Sequence, residues 1–363
     1  MKKALLIATV GDFLAGFELE DMQLLQRQEY EVHCAANFNG ITNLRDQKMT
    51  DIGIIKHHIP FSRNPFSIDN FIAYKDLKSL ISTERFNLVH CHTPVAGILG
   101  RIAAHKKKVQ KIIYTAHGFH FYTGAPAKNW IIYYPVEKLC SRYTDVLVTI
   151  NKEDYERASK RFYAEKTVYI PGVGLDTMLF TTGDGKKVRS EFGIRDSDFM
   201  LLSIGELNTN KNHETVIKAI AGLNMVYVIA GKGQQAEQLK ATADKYGVKL
   251  ILAGYRTDII DFYAAADAYI LPSIREGLNV SLMEAMASGL PCCCSKIRGN
   301  VDLIDKNGGY LFMPTDIEGI REAVEAVMAA DREKLGQYNQ EKIKRFDRTV
   351  VNELMRKIYT GEM

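Results

Sequence analysis

Short apolar runs alternate with longer segments of helical period in the first half of the chain. The runs are ALLIATV, YEVHCAA, FNLVH, KIIYTA and DVLVTI, and the segments between them include ELEDMQLLQRQ and GILGRIAAH. The runs predict buried strands and the longer segments predict helices. This alternation is typical of a parallel sheet wrapped by helices. We therefore predict a Rossmann-like, doubly wound α/β domain over residues 1–172.

A second series of the same kind follows an interruption near Pro171. Glycines between Gly172 and Gly185 mark the break, and FMLLSIG, MVYVIAG, VKLILAG and AAADAYILPS resume the pattern. With 363 residues, the chain is long enough for two packed cores. We predict a second Rossmann-like domain over residues 173–345. A final helix over about 346–363, with Val350, Leu354 and Ile358 on one face, is expected to cross back to the first domain.

Composition and charge narrow the class of protein. The 47 basic residues nearly match the 43 acidic ones, so a net charge of +4 does not support nucleic-acid binding. Three of the six cysteines are consecutive, at 292 to 294, which does not fit a disulfide framework and suggests a reduced, cytoplasmic protein. The apolar run after the two N-terminal lysines stops at Gly11-Asp12, and no stretch approaches the ~20 apolar residues of a membrane span. Any membrane contact is therefore expected to be peripheral.

The segment PSIREGLNVSLMEAMASG carries two carboxylates in an informative position. A strand is predicted to end at Pro272-Ser273 and a helix to start near Asn279, with Glu276 in the turn and Glu284 eight residues later. Because helix side chains tilt towards the N-terminus, both carboxylates could reach one ligand. The free amides of the helix start suit a diphosphate. The residues at that start are Gly277, Leu278, Asn279 and Val280. The alternative is that Ser281 and Glu284 form a capping box and that Glu276 is a solvated charge.

This segment resembles the Glu-x7-Glu signature of family 4 retaining glycosyltransferases, and the similarity runs through nearly the whole chain. The resemblance implies the GT-B fold, in which two Rossmann-like domains face a central cleft that holds a nucleotide-sugar donor. It also implies that Glu276 contacts the donor sugar and that Glu284 holds the nucleotide ribose. The first domain would then lie on the acceptor side and the second would bind the donor.

Lys211 lies between a predicted strand end at Gly205 and a helix that begins near His213. Its ammonium group could neutralise phosphate there, although an exposed loop lysine is the alternative interpretation. The segment resembles the family's Gly-Arg-Leu-x-x-x-Lys loop, whose arginine and lysine bind the diphosphate. Here Glu206 stands in the place of the arginine, so one half of that clamp must come from elsewhere, if it is present at all.

Two other arginines are candidates for the missing half of the clamp. They are Arg298, in SKIRGN, and Arg256. Tyr255 and Arg256 are also expected to lie near the nucleotide base. The turn Gly231-Lys232-Gly233 resembles a phosphate loop, but it fits a simple chain reversal equally well.

His117 follows the strand KIIYTA and should emerge at the carboxyl edge of the first sheet. A histidine in such a place is often only a hydrogen-bonded structural residue. The sequence His-Gly-Phe-His resembles the family's cleft histidine, which contacts the donor sugar during transfer, and His117 fits that position better than His120.

A metal site at these histidines is the competing interpretation. His90 and His92 on one strand could join His117 and His120 around zinc. No carboxylate cluster or zinc-spaced cysteine pair accompanies them, and no Asp-x-Asp follows a strand. We therefore expect neither a metal ion nor a cofactor.

The segment from Gly11 to Gly16 is predicted to be a loop between the first strand and the first helix. It lacks the Gly-x-Gly-x-x-Gly spacing of dinucleotide-binding domains, which argues against a nicotinamide-dependent dehydrogenase. The resemblance implies that this loop lies near the donor sugar and the acceptor. We predict that Gly16 is its donor-binding residue.

The basic run His105-Lys106-Lys107-Lys108 stands near the aromatic segments FHFYTG and NWIIYYP in the predicted domain. It predicts either a membrane-surface face or a solvated helix end whose lysines complement the helix dipole. The chain resembles the capsule and exopolysaccharide branch of the family, where acceptors are often polyprenyl-diphosphate sugars. That resemblance implies an enzyme at the cytoplasmic membrane face.

The predicted reaction is transfer of a hexose or N-acetylhexosamine from a UDP-sugar to an acceptor hydroxyl, with retention at the anomeric carbon. One alternative is a UDP-sugar epimerase of the same architecture. A second is a non-catalytic sugar-nucleotide-binding partner, which only the Glu206 departure suggests.

Overall fold

The computed structural model describes residues 1–363, which form two compact units. The first unit contains residues 1–173 and 349–363, and the second contains residues 174–348. The division lies one residue after the sequence-based boundary at 172/173 and three residues after the one at 345/346. Each unit is built on its own parallel sheet.

The first unit has a seven-stranded sheet in the order β3-β2-β1-β4-β5-β6-β7. Its strands are β1 (Lys2–Val10), β2 (Tyr30–Asn37), β3 (Ile55–His58), β4 (Leu88–His92), β5 (Lys111–Ala116), β6 (Val146–Thr149) and β7 (Lys166–Tyr169). The helices that cover it are α1 (Gly11–Phe17), α2 (Leu19–Arg27), α3 (Asn43–Asp51), α4 (Asp69–Glu84), α5 (Pro94–Lys106), α6 (Ala127–Cys140) and α7 (Lys152–Arg161). The apolar N-terminal run is strand β1, and it is buried at the centre of this sheet, as strands covered on both faces are.

The second unit has a six-stranded parallel sheet in the order β10-β9-β8-β11-β12-β13. Its strands are β8 (Phe199–Ile204), β9 (Met225–Ala230), β10 (Lys249–Gly254), β11 (Ala268–Leu271), β12 (Cys292–Ser295) and β13 (Gly309–Phe312). Its helices are α8 (Gly185–Glu191), α9 (His213–Ala219), α10 (Ala236–Tyr246), α11 (Ile259–Ala265), α12 (Val280–Ala287), α13 (Asn300–Leu303), α14 (Ile317–Ala329) and α15 (Arg332–Ile343). The three consecutive cysteines lie in β12, and all six cysteines of the chain are buried free thiols.

The C-terminal helix α16 (Arg348–Thr360) packs against the first unit, as the sequence predicts. Its buried residues are Val351, Met355, Ile358 and Tyr359, and they join the core that includes Leu6 and Leu25. The predicted face was wrong at Val350, which is 40% exposed. The buried stripe begins one residue later, at Val351, and continues through Met355, Ile358 and Tyr359. Its spacing of three and four residues is that of an amphipathic helix.

A charged cluster is buried beneath the first sheet. Arg101 in α5 is fully buried, and its Nη2 donates to Glu137 Oε2 of α6 at 2.7 Å. The Tyr114 hydroxyl donates to the other oxygen of Glu137 at 3.1 Å, and the Arg101 guanidinium lies 3.8 Å from the centre of the Tyr114 ring. The carboxylate and the guanidinium therefore compensate each other in a site without water access.

None of the helices in the chain combines the length and hydropathy that a bilayer span requires.

Candidate active site

In the second unit, Lys211 and Glu276 form an ion pair. Both lie in loops that follow strands, Lys211 after β8 and Glu276 after β11. Lys211 Nζ donates to Glu276 Oε1 at 2.8 Å, and the two side chains are only 16% and 15% exposed. The sequence assigned these residues to separate ligand groups. The structure brings them together, so an acid and a base meet at the carboxyl end of the second sheet, where ligands of such sheets bind.

Gly205 makes room for this pair. A side-chain carbon on Gly205 would lie 3.1 Å from Lys211 Cε, and the residue has a φ of +156°. Tight backbone packing also explains Gly231 and Gly233, since a side-chain carbon on Gly231 would lie 1.8 Å from the Gly205 carbonyl oxygen. A carbon on Gly233 would lie 2.3 Å from the Leu207 carbonyl oxygen. The Gly231-Lys232-Gly233 turn thus serves the packing of two neighbouring loops.

Helix α12 begins directly after the Glu276 loop. Asn279 is its N-cap residue, and its side-chain oxygen accepts from the Leu282 amide at 3.0 Å. The capping-box alternative is wrong, because the Ser281 hydroxyl bonds to the Tyr269 hydroxyl at 2.7 Å and to Asn279 instead of capping the helix. The remaining free amides of the first turn lie next to Gly277 and Leu278, which makes this helix start a suitable place for an anion.

Glu284 lies on α12 and is largely buried. The Tyr263 hydroxyl donates to its Oε2 at 2.8 Å. Burial raises the pKa of the Glu284 carboxyl to about 7, and the hydrogen bond from Tyr263 only partly opposes this shift. Glu284 therefore changes charge near neutral pH.

Of the two candidate arginines, the structure brings only Arg298 to the Glu276 loop. Its Nε and Nη2 lie 3.4 Å and 3.2 Å from the Glu276 carbonyl oxygen, to which they donate. Arg256 instead pairs with Glu191 and Asp258, each at 2.7 to 2.8 Å. Its neighbour Tyr255 is 70% exposed. Of the two arginines, only Arg298 therefore places a cation next to the Glu276 loop.

In the first unit, His117 belongs to a triangle with His92 and Glu18. His92 Nδ1 lies 3.2 Å from His117 Nε2, and Glu18 Oε1 lies 3.3 Å from the first nitrogen and 3.5 Å from the second. The Phe13 ring packs against His117 in an edge-on contact with centroids 4.9 Å apart. Burial lowers the pKa of His117 to about 4, so the imidazole is neutral at physiological pH.

The triangle continues into a buried polar network. Burial and the neighbouring Asp21 raise the pKa of Glu18 well above its usual value. Asp21 is hydrogen-bonded to Glu18 and to Tyr359 of α16. The Tyr359 hydroxyl in turn lies 2.9 Å from His90 Nδ1. The network thereby connects the C-terminal helix to the candidate histidine.

Sequence analysis missed Glu18. It stands between α1 and α2 in a segment whose polar residues read as the solvent face of a helix, so only the tertiary structure reveals its contact with β4 and the loop after β5. The sequence indicated no carboxylate cluster near these histidines, and the structure places one carboxylate, Glu18, beside His92 and His117. The ligand atoms of Glu18, His92 and His117 all lie within 4.8 Å of one another, which makes this trio the group that could hold a metal ion.

The predicted glycine loop near the start of the chain is also wrong. Residues Gly11–Phe17 form helix α1, because β1 passes into a helix directly after the extended residue Val10. Gly16 lies in the last turn of that helix, and a side-chain carbon there would meet the Arg45 guanidinium at an ordinary contact distance of 3.5 Å. Gly16 therefore offers no open loop backbone to a ligand.

The basic run after α5 has a structural explanation. His105 and Lys106 occupy its last turn, where cations complement the helix dipole. The His105 ring stacks on Tyr143 with centroids 4.4 Å apart, and Lys106 lies over the Tyr74 ring. Trp130, from the aromatic segment, packs against the core. The position of His105 and Lys106 in the last turn fits the solvated helix end.

Comparison with known proteins assigns the chain to a family. The family described as glycosyl transferases group 1 matches residues 184–343, and the glycosyl transferase 4-like family matches residues 3–151. EpsD of Bacillus subtilis, named as a glycosyltransferase, is 36% identical over 100% of this chain and 97% of its own length. The chain is a group 1/family 4 glycosyltransferase.

Two further proteins resemble this chain. The Escherichia coli UDP-Gal:alpha-D-GlcNAc-diphosphoundecaprenol alpha-1,3-galactosyltransferase is 29% identical over 84% of this chain and 82% of its own length. The crystal structure of Anabaena HepE in complex with UDP aligns with a TM-score of 0.81 at 18% identity, covering 99% of this chain and 100% of that one. The structural likeness confirms the predicted GT-B fold of the glycosyltransferase.

Proposed function

We propose that this glycosyltransferase moves a hexose or N-acetylhexosamine from a UDP-sugar to a lipid-linked saccharide during surface polysaccharide synthesis. The observation that carries the proposal is the Lys211–Glu276 pair, held at 2.8 Å beside the start of α12. The E. coli relative is named for a UDP-sugar donor and a diphosphoundecaprenol acceptor, and the structure of HepE contains UDP. The relative's name and the UDP in the HepE structure both support a UDP-sugar donor. The relative's name also supports a lipid-linked acceptor.

The second unit supplies what a leaving diphosphate requires. Negative charge grows on the diphosphate as the glycosidic bond breaks, and fixed positive groups stabilise it in the transition state. Lys211, Arg298 and the first-turn amides of α12 are such groups. Arg298 takes the role that the family assigns to the arginine replaced here by Glu206, which is exposed. The proposal therefore needs no metal ion to neutralise the diphosphate.

Glu276 and His117 are our candidates for contact with the transferred sugar. Lys211 occupies Oε1 of Glu276, which leaves Oε2 to accept a hydrogen bond from a sugar hydroxyl. His117 is a neutral imidazole, so it can donate or accept a hydrogen bond without adding charge. The resemblance implies a retaining mechanism, in which both residues would position a sugar with oxocarbenium character.

Glu284 is proposed to bind the ribose hydroxyls, and this makes donor affinity dependent on pH. An acid whose pKa is raised to about 7 loses its proton as the pH rises through 7, and the carboxylate is the stronger acceptor. The ionised fraction grows from about one tenth at pH 6 to about nine tenths at pH 8, so the affinity for UDP-galactose should rise about tenfold. Calorimetric titration at both pH values measures the change.

The matched control is Glu284→Gln, which cannot ionise. Its affinity for UDP-galactose should be lower at pH 8 and nearly the same at both pH values. A wild-type affinity that does not change with pH, or a Glu284→Gln variant that keeps the full pH dependence, would remove Glu284 from the ribose site.

Two alternatives make different predictions. An epimerase would convert the sugar on UDP without any acceptor, whereas membership of a glycosyltransferase family favours transfer. A non-catalytic binding partner was suggested by Glu206 alone, and the cation that Arg298 places beside the Glu276 loop argues against that alternative. Transfer is therefore the reaction that we propose.

The donor and the metal requirement can be tested together. UDP release is measured with a panel of UDP-sugars, with and without an N-acetylglucosaminyl diphosphate lipid, in EDTA and in Mg²⁺. We expect acceptor-dependent release with one donor and equal rates in the two buffers, since protein cations face the diphosphate. Release that occurs only with added metal would contradict metal-independent transfer, and release without acceptor would favour the alternatives.

We also propose peripheral contact with the cytoplasmic membrane face, because a lipid-linked acceptor resides there. Large apolar residues are exposed in two segments of the first unit. Ile131 on α6 is 74% exposed and Phe66, just before α4, is 83% exposed. Such side chains support attachment to a lipid surface.

A further inference from the structure

Three polar side chains of the first unit converge on one point. Glu18 Oε1, His92 Nδ1 and His117 Nε2 form a triangle with edges of 3.2, 3.3 and 3.5 Å. Two imidazole nitrogens and one carboxylate oxygen are a common set of zinc ligands. At zinc bond lengths of about 2.0–2.2 Å, ligand atoms in a tetrahedron lie about 3.3–3.5 Å apart. The triangle therefore has the size of three corners of a zinc tetrahedron.

The carboxylate oxygen that faces the two imidazoles accepts no hydrogen bond. Glu18 is only 3% exposed, and its Oε1 is a buried polar atom without a hydrogen-bond partner. Such atoms are rare in folded proteins because they are costly, and an ion is one of the features that explain them. A cation at the centre of the triangle would satisfy this oxygen together with one nitrogen of each histidine.

The surrounding structure holds the three side chains in position. His92 is the last residue of β4 and is fully buried. The Phe13 ring packs against His117, and Asp21 is hydrogen-bonded both to Glu18 and to the C-terminal helix. Hydrogen bonds that orient a ligating carboxylate are typical of protein metal sites. A metal ion would therefore bind ligands whose positions are already fixed.

A small cavity provides room for a fourth ligand. It has a volume of about 30 Å³, and Glu18 and His117 form part of its wall. A water molecule requires about 10–15 Å³ of such space, so the cavity can hold one. Three protein ligands and a water molecule form a common zinc site. The His117 side chain is 20% exposed, which gives an ion access from solvent.

A second histidine cluster in the same unit does not converge in this way. His33 Nδ1 bonds to His57 Nε2, and His33 Nε2 bonds to Glu31, each at 2.8 Å. Because the two nitrogens of one imidazole ring point in different directions, the carboxylate and the second imidazole lie on different sides of His33. These three residues cannot share one ion through the atoms that face each other, and they provide a matched control.

We propose that Glu18, His92 and His117 bind Zn²⁺, with water as the fourth ligand, and that the bound ion inhibits the enzyme. Imidazole ligands favour Zn²⁺, whereas Mg²⁺ prefers oxygen ligands. Zinc on His117 Nε2 occupies the lone pair of that nitrogen, so the histidine can no longer contact the transferred sugar. The metal site does not depend on the proposed function, but the inhibition rests on the role proposed there for His117. Transfer itself still needs no metal ion.

Calorimetric titration of the untagged protein with ZnCl₂ tests the site without catalysis. We expect a single tight site in the wild type and binding at least about 100-fold weaker in Glu18→Gln, since even the partners behind a metal ligand contribute about 10- to 100-fold. His57→Asn alters the other histidine cluster and should bind Zn²⁺ as the wild type does. His92→Asn removes a different ligand and should weaken binding to a similar extent, which covers the case in which Glu18→Gln does not fold.

Inhibition is measured as the loss of acceptor-dependent UDP release, with each variant compared with its own rate in the absence of metal. Zn²⁺ should stop the wild-type reaction, EDTA should restore it, and Mg²⁺ at the same concentration should have no effect. Half-inhibition of Glu18→Gln should require at least about ten times more Zn²⁺, because a ligand has been lost. His57→Asn should be inhibited as the wild type is, which controls for zinc bound to the donor diphosphate.

The possible failures are distinguishable. Equal zinc affinity in the wild type, Glu18→Gln and His92→Asn would overturn the metal site and leave the proposed function intact. Zinc binding that depends on Glu18 and His92 but leaves transfer unchanged would overturn the inhibition and the proposed contact of His117 with the sugar. Absence of transfer under every condition would overturn the proposed function and the inhibition, and the calorimetric titration would still decide the metal site.

Discussion

Replacing Lys211 with alanine is expected to lower kcat about 100-fold, because one preorganised cation no longer faces the developing charge on the leaving diphosphate. The Lys211 ammonium group is held in place by its hydrogen bond to Glu276 at 2.8 Å, and its side chain packs against Gly205. Steady-state assays of UDP release with the acceptor present measure the effect. Affinity for the UDP-sugar should fall much less than kcat, since the ammonium interacts most strongly when the charge has developed.

Lys240→Ala provides the matched control for Lys211→Ala. Lys240 is an exposed lysine of the same unit that pairs only with Glu237 on its own helix, so its loss should leave kcat within about twofold of the wild type. A double-mutant cycle with Glu276→Ala should be strongly non-additive, because the two residues form one pair. Wild-type turnover in Lys211→Ala would remove this pair from the proposed site.

Glu137→Ala is expected to destabilise the first unit by about 3–5 kcal/mol, because it leaves the Arg101 guanidinium buried without its partner. The Arg101 side chain is fully buried, so water cannot solvate its charge. Urea unfolding followed by fluorescence measures the change in the free energy of unfolding. The one tryptophan of the chain, Trp130, lies on the same helix as Glu137 and therefore reports on this unit alone.

Two further variants make the stability measurement specific. Glu156→Ala removes an exposed carboxylate of the same unit, 65% exposed in its pair with Lys160, and should change the free energy by no more than about 0.5 kcal/mol. Replacing both Arg101 and Glu137 with methionine should recover much of the loss, because no buried charge remains. Equal stability of Glu137→Ala and the wild type would show that water reaches this cluster.

The fold was predictable because its determinants are local and repeated. Strands that are covered on both faces of a parallel sheet read as continuous apolar runs, and strand β1 and strands β8 and β9 are examples. The GT-B architecture inferred by resemblance is confirmed by the structural comparison. The roles of Lys211, Glu276, Glu284 and His117 stay predictions, although the structure places Lys211 and Glu276 in direct contact.

The features that sequence analysis missed depend on contacts between distant segments. Glu18 and His92 are 74 residues apart in sequence, and no local pattern indicates that their side chains lie 3.3 Å apart. Arg298 was among the sequence candidates, but only the structure shows that it, and not Arg256, reaches the Glu276 loop. The predicted loop after β1 was wrong for a different reason. Two glycines in this segment suggested a loop, but the packing of Leu14 and Ala15 stabilises a helix there.

Analysis of the product by mass spectrometry and NMR tests the transferase proposal most directly. The enzyme is incubated in EDTA with the donor selected from the UDP-sugar panel and with α-N-acetylglucosaminyl diphosphate farnesol. The predicted result is an acceptor heavier by one hexose or N-acetylhexosamine residue, linked in the same anomeric configuration as in the donor. An unchanged acceptor accompanied by a different sugar on UDP, or by no reaction at all, would contradict glycosyl transfer by this site.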